Sequence, residues 1–253
     1  FKLLIGYNLG TEEVGIFSAA SGISFLLFFF ATSFSFMAFP VMSRMNFNDR
    51  SNEIVDTFIS ITRWKYLLTL PFFIILFVYS FEILLFLFGN DYTSGSNILK
   101  LMSLSLFFVV CSGSTGTLLQ SLGQSTKVLI SDIFGSIITV LAIIILMSKY
   151  DLYGAALGMS LGFIFREFIA LFYIYRIIKA HPFSFLFVWL TLINLFLVYY
   201  FREIFLFLSK YYFSTESFSP IFSNLLIVLF IILSFICVFF SYYSFNILTR
   251  HDY

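Results

Sequence analysis

Charged residues are scarce in this sequence, and their scarcity excludes a water-soluble fold. Only 11% of the 253 residues are charged, whereas 60% are hydrophobic, and the mean hydropathy is +1.01. A soluble domain carries about 25% charged residues because its surface must face water. The net charge of only +1 provides no basic field of the kind that attracts nucleic acid, so no nucleic-acid partner is expected.

Patterns that indicate metal binding or nucleotide hydrolysis are also missing. The two histidines, His181 and His251, lie at the edges of apolar stretches, and the two cysteines, Cys111 and Cys237, lie inside them without the spacing of metal ligands. The sequence contains neither an HExxH motif nor a phosphate-binding GxxxxGK[ST] loop. We therefore expect no enzyme, no catalytic residue, no cofactor and no metal site.

Long apolar stretches take the place of these patterns. Seven stretches approach the roughly 20 residues that a helix needs to cross a bilayer. They are continuous, whereas the strands of a membrane barrel alternate between apolar and polar residues. The sequence therefore predicts an all-α, polytopic helical membrane protein. The predicted spans are 14–40, 66–88, 97–122, 127–148, 153–176, 184–201 and 221–245.

The spans divide the chain into three predicted parts. Residues 1–13 begin with Phe1 and read as the end of a truncated preceding helix followed by an outer loop. Residues 14–180 form a bundle of five transmembrane spans. Residues 181–253 add two further transmembrane helices and a short cytoplasmic tail. The connections are short and contain turn-forming residues, which leaves sequential helices as antiparallel neighbours.

The placement of lysine and arginine predicts the orientation of these spans. If the loop after Pro40 is cytoplasmic, the basic residues on the cytoplasmic side outnumber those outside. The cytoplasmic set is Arg44, Arg50, Arg63, Lys65, Lys127, Arg176, Lys179 and Arg250. The outer set is Lys100, Lys149, Arg202 and Lys210.

Two segments have the pattern of helices that lie at the membrane surface. Residues 51–65 place apolar side chains on one helical face and end in Trp64 between two basic residues, which is typical of an interfacial anchor. Residues 202–213 are predicted to do the same on the opposite side. Glu82 lies near the outer end of the second span, where we expect it to meet water.

The third span is unusually polar at its centre. Its small and polar residues are Ser112, Gly113, Ser114, Thr115, Gly116 and Thr117. Pairs of small residues four apart allow close helix packing. The same residues could instead line a hydrated cavity, and the sequence leaves both interpretations open. Either one makes this helix central to the bundle.

The fifth span carries a glycine stripe that leads to a charged residue. Gly154, Gly158 and Gly162 recur every four residues, and Arg166 follows at the same interval, so we expect a helix contact along this face. Arg166 is the only clear cation predicted within the spans, and its depth requires a partner or water.

Three roles remain open for Arg166: contact with substrate, pairing with Asp132 of the preceding antiparallel span, or extension to the lipid headgroups. Glu167 points about 100° away from Arg166 on a helix, so adjacency in sequence does not by itself predict an ion pair.

Five local patterns occur in a collinear order along residues 9–180. They are LGTEEVGIFSAA (9–20), FPVMSR (39–44), FLFGNDYTSGSNILKLM (86–102), LLQSLGQSTKVLISD (118–132) and KYDLYGAALGMSLG (149–162). In this order and spacing the chain resembles the C-terminal half of polysaccharide biosynthesis flippases of the multidrug/oligosaccharidyl-lipid/polysaccharide flippase superfamily.

The resemblance implies a two-lobed, alternating-access flippase of the cytoplasmic membrane, of which this chain forms the C-terminal lobe with two extra helices. Its implied partners are a polyprenyl-pyrophosphate-linked oligosaccharide, membrane lipids and the missing N-terminal lobe. Cations in the cavity would meet the substrate phosphates. The expected substrate-binding residues are Arg166, Ser112, Ser114 and Thr115. The expected structural and charge partners are Asp132, Glu167, Gly154, Gly158 and Gly162.

Two alternative functions remain at this point. A multidrug exporter of the same superfamily would need a more aromatic and acidic pocket for cationic drugs. A membrane enzyme, such as a glycan polymerase or acyltransferase, would show long outer loops with clustered arginine, histidine or carboxylate residues, whereas the outer loops here are short.

The predicted orientation can be tested by thiol labelling. Cysteines introduced at Asn48 and Ser94, in a background without Cys111 and Cys237, should react with an impermeant reagent from opposite sides of the membrane. The basis for this expectation is the excess of basic residues on one side. Reaction of both positions from the same side would contradict the topology.

Overall fold

The computed structural model describes residues 2–44, 47–179 and 185–212, and within these ranges the chain is helical and contains no strand. The helices are α1 (Lys2–Asn8), α2 (Thr11–Ser24), α3 (Leu26–Ser43), α4 (Phe47–Val78), α5 (Ser80–Phe88), α6 (Ser96–Cys111), α7 (Thr115–Ser121), α8 (Ser125–Ile178) and α9 (Phe185–Tyr212), with a 3-10 turn at Asn90–Gly95 between α5 and α6.

Apolar helices of membrane-spanning length make this a multi-pass membrane protein. Four helical stretches are long and apolar enough to cross a bilayer: Thr11–Ser43, Glu53–Val78, Asn90–Ser121 and Ser125–Ile178. They overlap the first five predicted spans, because the last of them bends back on itself and holds two. The second span differs most from its prediction over 66–88, because α4 ends at Val78 and its membrane-length part is Glu53–Val78. The predicted span 221–245 lies outside the described residues.

Helix α6 lies at the centre of the bundle. It packs most extensively against α4 and α8, and it also contacts α2, α3 and α5. The rings of Phe73 in α4 and Phe107 in α6 stack with centroids 4.1 Å apart and planes 5° apart. The central position expected for the third span is therefore confirmed.

The third span is not the continuous helix that was predicted over 97–122. Helix α6 ends at Cys111 and α7 begins at Thr115, and between them Gly113 adopts a φ of +87°. A Cβ at Gly113 would lie 2.9 Å from the ring of Phe58 and would clash with Thr62. Glycine is required here because it reaches this conformation and fits this contact. The small residues therefore break the helix, and do not form a continuous packing stripe.

The glycine stripe packs the two halves of α8 against each other. The helix reverses direction at Tyr150 and Asp151, where Asp151 has a φ of 47°. A Cβ added to any of the three stripe glycines would meet backbone or side-chain atoms of the opposite half. The opposed pairs run antiparallel: Gly154 with Leu146, Gly158 with Ile143, Gly162 with Thr139, and Arg166 with Gly135. This contact joins the fourth and fifth predicted spans into one hairpin.

Residues 51–65 are helical and lead into the second span, as predicted, but their apolar face does not lie at the membrane surface. They belong to α4, which continues from Phe47 to Val78. Their apolar face is covered by protein, because Ile54 and Phe58 are fully buried in a cluster with residues of α3, α7 and α8. The amphipathic pattern therefore reflects packing against neighbouring helices. Residues 202–212 likewise continue α9.

A buried ion pair links α9 to α5. The Nη2 of Arg202 lies 2.7 Å from Oε1 of Glu82, and its Nε donates a hydrogen bond to the same oxygen at 2.9 Å. Glu82 is buried, which corrects the expectation that it meets water. The pair forms because a carboxylate inside an apolar bundle needs a cation to offset its lost hydration. Tyr66 of α4 and Thr191 of α9 add a hydroxyl contact of 2.7 Å.

The hairpin contact predicts a position-dependent effect of added side-chain volume. Gly158→Leu should destabilise the protein by about 1–3 kcal/mol or more, because its Cβ would lie 2.5 Å from the backbone nitrogen of Ile143. Gly22→Leu is the matched control, since a Cβ there meets nothing within 4 Å. Thermal unfolding in detergent should separate the two variants, and an equal melting temperature for both would refute the contact.

Candidate functional site

A polar cavity lies where α3, α4, α6, α7 and α8 meet. Its volume is about 240 Å³, and it lies beside the break between α6 and α7. The lining residues include hydroxyl, amide and charged groups, which are unusual in so apolar a chain. They are Phe28, Thr32, Ser35, Lys65, Val109, Gly113, Ser114, Thr115, Gly116, Thr117, Gln120, Val128, Asp132, Arg166 and Glu167.

The structure brings most of the predicted site residues to this cavity. Arg166, Ser114 and Thr115 line it, as do the two predicted charge partners Asp132 and Glu167. Ser112 is not among the lining residues, because its hydroxyl is fully buried and donates to the carbonyl of Phe108 at 2.9 Å. Apart from the cavity, the three glycines Gly154, Gly158 and Gly162 lie in the α8 hairpin.

Arg166 is bonded to two carboxylates. Its Nε donates to Oδ1 of Asp132 at 2.6 Å, and its Nη1 donates to Oε1 of Glu167 at 2.5 Å. Asp132 lies in the first half of α8 and Arg166 in the second, so the glycine-lined contact brings them together. Glu167 was not expected to pair with its sequence neighbour. The pair forms because the long arginine side chain reaches back to a carboxylate held in the cavity wall.

Thr115 fixes the other oxygen of Glu167. Its Oγ1 donates to Oε2 of Glu167 at 2.9 Å, and Glu167 is only 2% exposed. Thr115 is the first residue of α7, so this bond ties the segment after the helix break to the second half of α8. These hydrogen bonds to both oxygens offset part of the cost of removing the carboxylate from water.

Lys65 is a second cation of the cavity that sequence reasoning missed. It is 2% exposed, and its Nζ donates to the carbonyl of Gly113 at 3.0 Å and to Oγ of Ser114 at 3.2 Å. The Oγ of Ser114 also lies 3.0 Å from that of Ser35. The expectation that Arg166 is the only clear cation within the spans is therefore wrong.

The spacing of Lys65 from the residues before it in α4 could have predicted its burial. Ile54, Phe58, Thr62 and Lys65 follow one another at intervals of four, four and three residues, which places them on one helical face. The first two are fully buried in the structure. A lysine that continues a buried face is itself buried, whereas its aromatic neighbour Trp64 is exposed.

The cavity combines hydrogen-bond donors with charges of both signs, which suits a polar or ionic ligand. In the part of the chain that the structure describes, no group of three or more histidine, cysteine, aspartate or glutamate residues could hold a metal ion. Residues 158–162 match the pattern GxSxG, but they lie inside helix α8. A hydrolase nucleophile of that pattern needs a strand-to-helix turn.

Comparisons with known proteins agree on one class. A family model described as "Polysaccharide biosynthesis protein" matches residues 1–97. The "Probable low-salt glycan biosynthesis flippase Agl15" of Haloferax volcanii is 22% identical over 160 residues, which are 63% of this chain and 34% of that protein. The solved structure of "Lipid II flippase MurJ, inward closed conformation" matches with a TM-score of 0.69 and 20% identity.

These matches cover only part of each known protein. The MurJ match includes 94% of this chain but 48% of the solved chain. This chain therefore spans about a third of the length of the curated relative and about half of the solved structure. At 20% identity the solved structure shows the fold alone. The two named relatives are flippases.

The charge network predicts a specific pattern of stability. Arg166→Leu should destabilise the protein by up to about 3 kcal/mol, because Glu167 would be left buried without a cation. The double variant Arg166→Leu/Glu167→Gln should recover at least half of that loss, since the buried charge is gone. Arg176→Leu, at an exposed arginine of the same helix, is the control and should change little. Thermal unfolding in detergent measures all three, and a double variant no more stable than Arg166→Leu would contradict the network.

Proposed function

The comparisons support a polysaccharide biosynthesis/flippase family for this chain, and from that premise we propose that it forms one lobe of a flippase for a polyprenyl-pyrophosphate-linked oligosaccharide. The proposed direction is from the cytoplasmic to the outer leaflet of the cytoplasmic membrane. The observation that carries the proposal is the polar, charged cavity inside an otherwise apolar helical bundle.

Energetics explain why such a cavity supports a flippase. The hydroxyl groups of a glycan and the charges of a pyrophosphate are very costly to place in hydrocarbon. A protein that moves this headgroup across the membrane must replace its water with polar side chains and must leave the lipid tail in the bilayer. The mixture of hydroxyls, Gln120 and charged groups in the cavity fits that requirement.

The size of the cavity supports a contribution from a second lobe. About 240 Å³ is less than the roughly 300–1,000 Å³ of pockets that enclose a small ligand, and an oligosaccharide is larger than such a ligand. In this proposal the cavity forms one wall of the translocation path, and the N-terminal lobe of the same protein supplies the opposite wall.

Interruptions in the helices supply hinge positions for alternating access. The helices are interrupted at Tyr79 between α4 and α5, and at residues 112–114 between α6 and α7. Hinges in domain motions are a few residues at the ends of elements. Rocking about these points would expose the cavity to each side of the membrane in turn.

The proposal is tested by transport in liposomes that contain the full-length protein. A fluorescent polyprenyl-pyrophosphate oligosaccharide should move between leaflets, as measured by loss of accessibility to a membrane-impermeant quencher. Thr117→Trp should reduce the rate at least tenfold because the indole would occupy the cavity. Ile137→Trp, at a half-exposed position of α8, is the matched control and should retain transport. Failure of the wild-type protein to move this lipid, or full transport by Thr117→Trp, would overturn the proposal.

A further inference from the structure

Two basic side chains lie over aromatic rings at the open end of the α8 hairpin, at the opposite end from its bend. The Nζ of Lys127, in the first half of α8, lies 5.6 Å from the ring centroid of Tyr173 in the second half. The guanidinium carbon of Arg176 lies 5.0 Å from the ring centroid of Phe172, and the two ring centroids are 6.0 Å apart. These four residues form one surface, which we call the basic patch. The rings help to hold the cations, since a cation within about 6 Å of an aromatic face is attracted to it.

The basic patch lies on the outer surface of the bundle and not in the central cavity. None of its four residues lines the cavity. On the second half of α8, Arg176 follows Phe168 and Phe172 at intervals of four residues, which keeps the three side chains on one side of the helix. The two phenylalanines are 55% and 54% exposed. Because exposed apolar side chains of a membrane-spanning helix contact lipid, Arg176 lies at the end of a lipid-facing surface.

Lys127 ends a second lipid-facing surface in the same way. Phe134 and Leu141 follow it at intervals of seven residues, which is close to two helical turns, and about half of each side chain is exposed. The helix dipole does not account for this lysine, because Lys127 is the third residue of α8 and a positive charge is disfavoured in the first turn. The same dipole favours Arg176 in the last turn. Lys127 is therefore the residue that most needs a negative partner.

Neither cation of the basic patch has a counter-charge in the part of the protein that the structure describes. No carboxylate there lies at ion-pair distance from Lys127 or Arg176. The nearest acidic residues along α8 are Asp132 and Glu167, and both are bonded to Arg166. Two positive charges of the described structure therefore remain unbalanced at the end of two lipid-facing surfaces.

We propose that the basic patch binds the phosphate group of an anionic phospholipid. The phosphate meets Lys127 and Arg176, and the acyl chains lie along the exposed apolar side chains that extend from the patch toward the centre of the membrane. The predicted orientation places the patch in the cytoplasmic leaflet, whose surface is negative. Each basic residue near such a surface strengthens the attraction by about fivefold. This inference does not depend on the transported substrate.

A membrane lipid fits the basic patch better than a soluble anion does. A soluble anion would use the two charges only, whereas a phospholipid also covers the apolar surfaces that end at them. Tyrosine is enriched at the headgroup level of membrane proteins, because its ring has an apolar body and a polar tip. Tyr173 of the patch and the exposed Tyr175 beside it are typical of that level.

Fluorescence quenching in nanodiscs tests the assignment on the full-length protein. A bimane fluorophore on a cysteine introduced at Leu129, two residues from Lys127, reports the neighbouring lipid in a background without native cysteines. Phosphatidylglycerol with a nitroxide on an acyl chain should reach half-maximal quenching at a concentration at least fivefold lower than nitroxide-labelled phosphatidylcholine. The same fluorophore at Ile145, near the bend, is the control and should be quenched equally by both lipids. More than half of each native side chain at these two positions is exposed.

Replacing the two cations should remove the lipid preference. In Lys127→Gln/Arg176→Gln, the two lipids should quench the fluorophore at position 129 within about twofold of each other. Lys127→Arg/Arg176→Lys keeps both charges and should retain at least half of the preference, and Lys149→Gln, at an exposed lysine beside the bend, should change nothing. The double glutamine variant should melt as the wild type does in detergent, because surface substitutions change stability little. If it does not, Lys127→Gln alone should lower the preference at least twofold.

Three results would overturn the inference. The first is equal quenching at position 129 by both lipids in the wild type, and the second is an unchanged preference in the variant without the two cations. The third is an equal preference at position 145, which would show a general attraction of the protein to anionic lipid. These results leave the proposed function untouched, and a protein that binds phosphatidylglycerol at the basic patch without moving the oligosaccharide lipid would remove the proposed function only.

Discussion

The need to satisfy buried polar groups without water governs the centre of this bundle. The cavity contains an ammonium group, a guanidinium group and two carboxylates, and each is bonded to protein in the described structure. The helix break makes this possible, because residues 112–114 release a backbone carbonyl and place a hydroxyl next to Lys65. If α6 continued through this point, the carbonyl of Gly113 would be bonded within the helix. The break between α6 and α7 therefore supplies the hydrogen-bond acceptors that the buried ammonium group of Lys65 needs.

The architecture was largely predictable because it depends on long-range averages of the sequence. The apolar runs predicted the described spans, and the four-residue glycine interval predicted a packed helix face along Gly154, Gly158 and Gly162. These features are robust because bilayer thickness and helical periodicity act over many residues. The extent of α4 was less predictable. An amphipathic segment has the same pattern whether its apolar face meets lipid or protein, and residues 51–65 meet protein.

The chemistry of the cavity was less predictable because it depends on individual contacts. Trp64 and its two basic neighbours have the composition of a membrane-surface anchor, which hid the burial of Lys65. The pairing of Arg166 with Glu167 depends on side-chain length and on the bond from Thr115, neither of which follows from helical angle. Small polar residues at 112–117 fit both a packed and a broken helix, and only the positive φ of Gly113 distinguishes the two.

The α8 hairpin also has a mechanical consequence. Its halves touch at backbone distance along the glycines, with no layer of flexible side chains between them, so sliding one half along the other would force atoms to overlap. The two halves should therefore move together as one stiff unit, joined at the bend at Tyr150 and Asp151. Arg166 lies 15 residues beyond that bend, or roughly 22 Å at the helical rise. If the unit rotated about its bent end, a few degrees would be enough to move the cavity charges by more than an ångström, and a more loosely packed pair of helices would transmit less of that movement.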